Sequence, residues 1–364
     1  MSEILFASSN FNRYAGGDTL PAKFKRLLNE TGFEGVVDGK NVAVKMHVGR
    51  GIGYTTIHPM FVKALLDKIK DCGGKPYVTD QTVEGAASRG YTAESLGAPV
   101  VDVCGVLGKY FYPKEVDFKT FKNVDVAGHI MDADVLVDLS HVKGHGACGF
   151  GGACKNLAMG AVTDRTRQQI HGLEGTIEWN GETCTRCGKC VESCNHNANK
   201  FDNDGNYTVF MHHCTNCQHC VKVCPNGSIS ISDKSYEEGY IDFQKGMALC
   251  TQKVLETFAP ENVFYINFLV NITAICDCWG MSTPSIVPDI GVMASKDLVA
   301  IERASIDAIK LENLLLNGVP GGKEPQGKTG HLLERLHGKN PYLQLDELEI
   351  LGLGTQKYKI REIE

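Results

Sequence analysis

Along the 364-residue chain, apolar positions switch repeatedly between the two-residue period of strands and the about 3.6-residue period of helices. Residues 4–8 read as a strand, 21–30 as a helix, and 41–48 (NVAVKMHV) as a second strand. From 58 to 72, Phe61, Val62, Leu65, Leu66 and Ile69 share one helical face, and Gly73-Gly74 ends the run. Further strands follow at 76–79 and 99–103, with a short helix at 93–96. Residues 124–130 then lead into a buried-looking strand at 135–139. Late in the chain come a helix at 243–258, a strand at 263–269 and an amphipathic helix at 296–316. That last helix carries Leu298, Val299, Ile301, Ile306, Ile309 and Leu316 on one side. A short helix at 329–337 and strand-like pieces over 348–360 complete the pattern. The alternation predicts an α/β fold with a largely parallel sheet and flanking helices.

The pattern breaks between residues 181 and 233. Cys184, Cys187, Cys190 and Cys194 stand at C-x2-C-x2-C-x3-C. Cys214, Cys217, Cys220 and Cys224 repeat that spacing and are followed by Pro225. Thiolates three residues apart let one short loop wrap an iron–sulfur cubane while backbone N–H groups face its sulfides. Pairs of C-x2-C also build zinc ribbons, but two closed zinc sites would not need the same three-gap phrase twice. The segment resembles a bacterial-type two-cluster ferredoxin. The resemblance implies one [4Fe–4S] cluster on Cys184, Cys187, Cys190 and Cys224, and another on Cys214, Cys217, Cys220 and Cys194. It divides the chain into an α/β domain begun by 1–180 and resumed by 234–364, interrupted at 181–233 by a ferredoxin-like α+β insert.

Composition narrows the partners. The net charge of −6 argues against a general nucleic-acid binder. Within 181–234 five acids balance five bases, so docking of a partner rests on local patches and the charge of the clusters themselves. The N-terminal MSEILF lacks a basic region and a long apolar run, which predicts no signal peptide. The apolar stretch near 263–270 is too short to span a membrane. With fifteen cysteines, the chain is expected in a reducing cytoplasm, and oxygen-labile clusters suggest an anaerobe.

Three loops after predicted strands carry polar chemistry, and in parallel sheets ligands gather at such strand ends. The first holds Lys45 and His47 with a glycine-rich run at 49–53, and the second holds Thr79-Asp80-Gln81. The third, 140–160, holds His141, Lys143, His145, Cys148, Cys154 and Lys155 among glycines. Further on, Cys276 and Cys278 flank Asp277. Histidines and cysteines in this set are typical transition-metal ligands, and His58 and His171 can join them. A glycine-rich loop with lysines equally suits an anion, and Cys148 and Cys154 also suit simple core packing. No loop matches the P-loop phrase. Cys72, Cys104 and Cys250 read as core thiols. These flanking motifs, with the segments 288–291 and 295–307, resemble the family known as domain of unknown function number 362, over nearly the whole chain. That resemblance implies an α/β scaffold and iron–sulfur binding without a settled reaction.

Two functions follow. The first is a low-potential electron-transfer protein exchanging single electrons with a redox partner protein or a small-molecule donor or acceptor. The alternative is an iron–sulfur reductase whose clusters feed a substrate or metal site in the α/β domain. Lys45, His47, His141, Lys143, His145, Lys155, Cys276 and Cys278 are then the catalytic candidates. A cluster-delivering scaffold is a third. The oligomeric state is not legible in the sequence.

Overall fold

The computed structural model describes the chain apart from residues 176, 195–196, 211–213, 215–217, 232–235, 323 and 326–328. Eight strands form the main sheet. They are β1 (Ser2–Ser8), β2 (Asn41–Met46), β3 (Lys75–Asp80), β4 (Val100–Asp102), β5 (Val135–His141), β6 (Val263–Leu269), β7 (Gly291–Ser295) and β8 (Tyr358–Glu362). Their spatial order is β8-β1-β7-β6-β5-β2-β3-β4. β7 alone among them pairs antiparallel, with β1 on one side and β6 on the other. The pairings β1–β8, β6–β5, β5–β2, β2–β3 and β3–β4 are all parallel.

Alternation along the strands builds two apolar layers. Val42, Val44, Val135, Val137, Leu139, Ile266 and Phe268 face α1 (Leu20–Glu30) and α2 (Pro59–Asp71) in one core. Ala43, Leu136, Val263, Tyr265 and Met293 face the other core. There they meet α3 (Ala153–Gly160), α5 (Tyr236–Leu255), α6 (Leu298–Ala308) and α7 (Leu343–Ile350). The helix α4 (Asp164–Gly172) follows α3 and packs on α5. On this second face the alternation turns polar towards the carboxyl ends, at Lys45, Asp138, Ser140 and Asn267, all of them buried. The register sets Lys45 beside Asp138 and Asn267 beside Ser140.

Several elements differ from the sequence expectation. The apolar spacing at 296–316 predicts one long helix, yet α6 stops at Ala308 and 3-10 turns follow at Leu311–Asn313 and Leu316–Gly318. Ile309, Leu311 and Leu314 still pack on the core, so the spacing recorded burial rather than a continuous helix. Within 348–360 the chain first completes α7, whose Leu345 and Leu348 are buried one helical turn apart, and only then forms β8. Asp297 ties these ends together. Its carboxylate accepts the Ala300 N–H at 2.9 Å to cap α6, the Ser2 hydroxyl at 2.6 Å, and the Thr355 N–H at 3.2 Å. Asp297→Ala is therefore expected to cost about 1–2 kcal/mol in urea unfolding, the scale of a lost N-cap. A change below a few tenths would show that the cap is dispensable.

The segment carrying the cysteine repeats has its own small elements. Ile177–Trp179 pairs antiparallel with Ile229–Ile231 at its stem, and Asn199–Phe201 pairs with Tyr207–Val209 across a turn. Two short helices, Lys189–Glu192 and His219–Val223, pack on each other. Cys190, Tyr207 and Ile229, with Trp179 and Phe201, make a small apolar cluster separate from the two main cores.

Candidate functional site

Strand order places the site. From β2 the chain moves outward to β3 and β4, then returns to β5 on the other side of β2 and continues to β6. The crevice outside the carboxyl ends at such a reversal is where open α/β sheets bind ligands. Here it is a cleft of about 730 Å³ including its mouth, and Lys45, His47, His141, Lys143, His145, Lys155, Cys276 and Cys278 all line it. The eight candidates that the sequence scattered over more than two hundred positions thus share one wall.

Glycines allow the close approach. A Cβ on Gly160 would lie 2.2 Å from the Lys45 ammonium, and one on Gly144 would lie 2.2 Å from the Ala274 carbonyl. The short ribbon of Lys143–His145 and Gly149–Gly151 is thereby seated against the loop after β6, and the Gly144 N–H bonds the Thr273 carbonyl at 2.8 Å. Lys143 and His145, two residues apart on that ribbon, meet Asp277 and Cys278.

Three polar groups occupy the cleft. In the first, the Lys45 ammonium lies 3.0 Å from Asp80 Oδ1 and 2.6 Å from Asn156 Oδ1. Asp80 Oδ2 accepts from His47 Nδ1 at 3.0 Å and from the Val48 N–H at 3.1 Å. Burial alone would raise the Asp80 carboxyl, but Lys45 and His47 outweigh it and hold Asp80 well below the usual carboxylate range. With Nδ1 committed to Asp80, His47 Nε2 has no hydrogen-bond partner among the described residues. A carboxylate-oriented imidazole with an open second nitrogen is suited to proton transfer. Asn156 continues the network to Asp138 Oδ1 at 2.8 Å, and burial pushes the Asp138 carboxyl up to about 7.

In the second group, His141 Nε2 faces the Val270 carbonyl at 2.9 Å and the Asn271 carbonyl at 3.1 Å, so that nitrogen carries the hydrogen. His141 Nδ1 lies 3.1 Å from the Lys143 ammonium and 3.4 Å from Asp277 Oδ2, and that ammonium lies 3.2 Å from the same carboxylate oxygen. The Thr55 and Ser282 hydroxyls donate to Asp277 Oδ1 at 2.6 and 2.9 Å. Burial would raise the Asp277 carboxyl, but Lys143 and His141 hold it far below its ordinary value.

In the third, the Lys155 ammonium lies 3.3 Å from Cys276 Sγ and 3.4 Å from Cys278 Sγ. Burial raises the Cys276 thiol. At Cys278 burial acts the same way, yet Cys276, Lys155 and Lys143 overcome it and bring the thiol down to about 6. Among the described residues, His145, Cys276 and Cys278 offer ligand atoms within 4.8 Å of one another, a grouping that could hold a metal ion.

The remaining expectations fall elsewhere. Cys148 and Cys154 are buried thiols raised by desolvation, with Cys154 beside Thr251 rather than in the cleft wall. His58 caps α2 by accepting the Met60 N–H at 3.1 Å and does not line the cleft, whereas His171 does. Among the repeat cysteines, Cys184, Cys187, Cys190 and Cys224 line one cavity of about 290 Å³ including its mouth. Backbone N–H groups reach cysteine sulfur at matching places in both phrases, Ala198 to Cys194 at 3.3 Å and Ser228 to Cys224 at 3.2 Å. Cys217, in the second ligand set, lies outside the described residues. Asp138 and Glu302 were not singled out in the sequence, and Asp80, Asn156 and Asp277 lay in the named loops but outside the eight catalytic candidates. Their signal was a polar residue set inside an otherwise apolar element or between two candidates.

The fold and this cleft define an α/β protein with a buried, cation-rich site at its sheet reversal. The chain belongs to the family described as Domain of unknown function (DUF362), which matches residues 42–307. It is similar to the thylakoid-associated protein sll1697 of Synechocystis sp., at 29% identity over 170 residues, covering 43% of this chain and 50% of that protein. The chain thus spans about half the length of that curated relative. Among solved structures it is similar to the lactate racemase apoprotein from Thermoanaerobacterium thermosaccharolyticum, at 12% identity and a TM-score of 0.36, covering 74% of this chain and 51% of that one. Among the described residues no helix is long and apolar enough to cross a membrane.

Proposed function

We propose that this protein is an iron–sulfur reductase, in which a two-cluster segment at 181–233 interrupts one α/β domain formed by 1–180 and 234–364. Cys184, Cys187, Cys190 and Cys224 would hold one [4Fe–4S] cluster, and Cys214, Cys217, Cys220 and Cys194 the other. The shared cavity of the first four and the repeated N–H to sulfur bonds fit that role. When bound, the clusters supply one-electron exchange at low potential. Such chemistry suits a reducing cytoplasm.

The observation that favours a reductase over a simple carrier is the cleft. Its walls include His171 on α4 and Phe243 on α5, the helices that lead into and out of the cysteine segment. Their rings lie 5.1 Å apart, and His171 Nδ1 lies 2.7 Å from Glu174 Oε1. The segment is therefore rooted in the site wall. Buried lysines paired with Asp80 and Asp277, beside a half-buried lysine on two cysteines, are a costly arrangement for a protein that only passes electrons on. The carrier reading keeps one supporting observation, the exposed Cys187, which would bring a cluster edge to a partner protein.

Iron, sulfide and zinc analysis with EPR on anaerobically purified, dithionite-reduced protein tests the proposal. About eight irons per chain and a spin-coupled signal from two reduced cubanes are expected. Zinc in place of iron would overturn both readings. The His145→Ala variant separates them. It should keep the iron of the parent, lose reduction of small acceptors under the reductase reading, and keep electron passage to acceptor proteins under the carrier reading.

A further inference from the structure

Lys155 is a half-buried ammonium on the cleft wall whose hydrogen bonds go to two sulfurs. Among the described residues no carboxylate forms an ion pair with it. A partly desolvated ammonium favours an opposite charge beside it, and among the described residues its hydrogen-bond partners are the two sulfurs.

Two further hydrogen bonds select the sulfur. His145 Nδ1 accepts the Ala147 N–H at 3.2 Å, so in the neutral ring the hydrogen sits on Nε2. That Nε2 lies 3.7 Å from Cys278 Sγ. Cys278 sulfur is thus approached by a lysine and an imidazole N–H, both donors. The same tautomer removes the lone pair through which His145 would ligate a metal, so the grouping is better read as a donor-lined thiolate than as a metal triad. Cys276 stands one residue away, its sulfur accepting the Cys278 N–H at 3.3 Å and the second Lys155 bond. Lys45, Arg50, Lys143, Lys155 and Arg167 line the cleft; Asp80 pairs with Lys45, Asp277 with Lys143 and Asp164 with Arg167, and the further cations Arg50 and Lys155 suit an anionic guest.

We infer that Cys278 and Cys276 act as a thiolate–thiol pair that carries out thiol–disulfide exchange on an anionic disulfide admitted to the cleft. The Cys278 thiolate attacks one sulfur of the guest. The guest S–S bond breaks, a mixed disulfide forms on Cys278, and the first guest thiolate leaves, taking a proton from solvent. Cys276 then loses its proton to solvent and attacks Cys278 sulfur, releasing the second guest thiolate and leaving a Cys276–Cys278 disulfide. The guest has gained two electrons and the protein pair has lost two. Return of the disulfide to the thiolate–thiol pair takes one proton from solvent and two electrons, delivered one at a time by a low-potential donor. Only this return rests on the cluster reading.

The test uses the full chain, reduced and desalted without oxygen, with oxidised glutathione as the anionic disulfide and peptide mass spectrometry as the readout. Wild-type protein should acquire a Cys276–Cys278 disulfide, and Cys276→Ser should instead trap a glutathione adduct on Cys278. Iodoacetamide at pH 7 should label Cys278 at least about tenfold faster than the core thiol Cys154, as a thiolate fraction demands. Lys155→Met should move the labelling profile of Cys278 to higher pH. Wild-type labelling needs no variant to fold. Equal labelling of Cys278 and Cys154 from pH 5 to 8, or an adduct that avoids Cys278, would overturn the inference. So would a stoichiometric metal whose removal by chelator exposes both thiols. Iron-free protein that still labels Cys278 quickly would reject the cluster reading alone, and eight-iron protein with an inert Cys278 would reject this inference alone.

Discussion

Replacing Lys45 with methionine is expected to remove about 3–5 kcal/mol of folding stability at pH 7, the cost of stranding one partner of a buried ion pair. Lys45 is 1% exposed and Asp80 4%. Methionine has a similar length but gives neither Asp80 Oδ1 nor Asn156 Oδ1 a donor. The remaining partners of Asp80 are His47 and two backbone N–H groups, from Val48 and Gln81. Asp80→Asn added to Lys45→Met removes the stranded charge, so the double variant should be more stable than Lys45→Met alone. Urea unfolding of the four proteins in the cycle decides the matter. A single-variant cost below about 1 kcal/mol, or a double variant worse than the single, would mean that Asp80 is not held as a carboxylate by Lys45. The linkage has a definite sign. Asp80 is depressed in the folded state, so its contribution is complete above the unfolded carboxylate range and fades as pH falls below about 4. Lys45→Met should flatten that acid-side loss.

The layered α/β fold was legible because its strands are buried on both faces and read as apolar runs, as in Val135–His141 and Val263–Leu269. The cleft was legible for the same reason, since in a parallel sheet polar residues just past such runs converge on one edge. Lys45, His141 and Lys143 follow that rule. β7 was not legible. Its five residues, Gly291–Ser295, follow a loop rich in chemistry, and Gly291 enters at φ 144° where a Cβ would lie 2.1 Å from the Ala7 carbonyl. A glycine placed for close strand approach looks, in sequence, like more loop. Asp138 is a single acid in a strand otherwise apolar up to Ser140, and alternation puts it on the face shared with Lys45 only once the neighbouring strands are known. Partner identity at that range is set by strand order, which periodicity along one strand does not carry. Glu302 is a sharper case. On the amphipathic helix it lies among Leu298, Val299 and Ile306, inside the apolar side, where a charged residue signals a buried partner rather than solvent.

Glu302→Ala should therefore be among the most damaging single changes, costing about 2–5 kcal/mol through unsatisfied buried donors. Its two carboxylate oxygens accept the Ala153 N–H at 2.8 Å, the Cys154 N–H at 3.2 Å and the Asn267 amide at 3.0 Å, so it closes the start of α3 from the helix packed beside it. The short helix cannot supply partners for its own first N–H groups, and Lys155 and Asn156 of the cleft stand on that same first turn. Loss of Glu302 should accordingly disturb the Cys278–Lys155 pair as well as the fold. The pH dependence runs opposite to that of Asp80. Burial pushes the Glu302 carboxyl up to about 7, against an ordinary value of 4.5, so the folded protein binds its proton more tightly than the unfolded chain does. Stability from this group is fully present below about pH 4.5 and declines as pH rises towards 7. The shift corresponds to about 3 kcal/mol at most. Glu302→Gln keeps an acceptor but cannot titrate. The stability gap between wild type and this variant, measured by urea unfolding at pH 5 and pH 8, should be larger at pH 5 and shrink or reverse at pH 8. A gap that does not change with pH would show that Glu302 stays ionised in the folded protein throughout, with the N–H groups of α3 and the Asn267 amide strong enough to offset its burial.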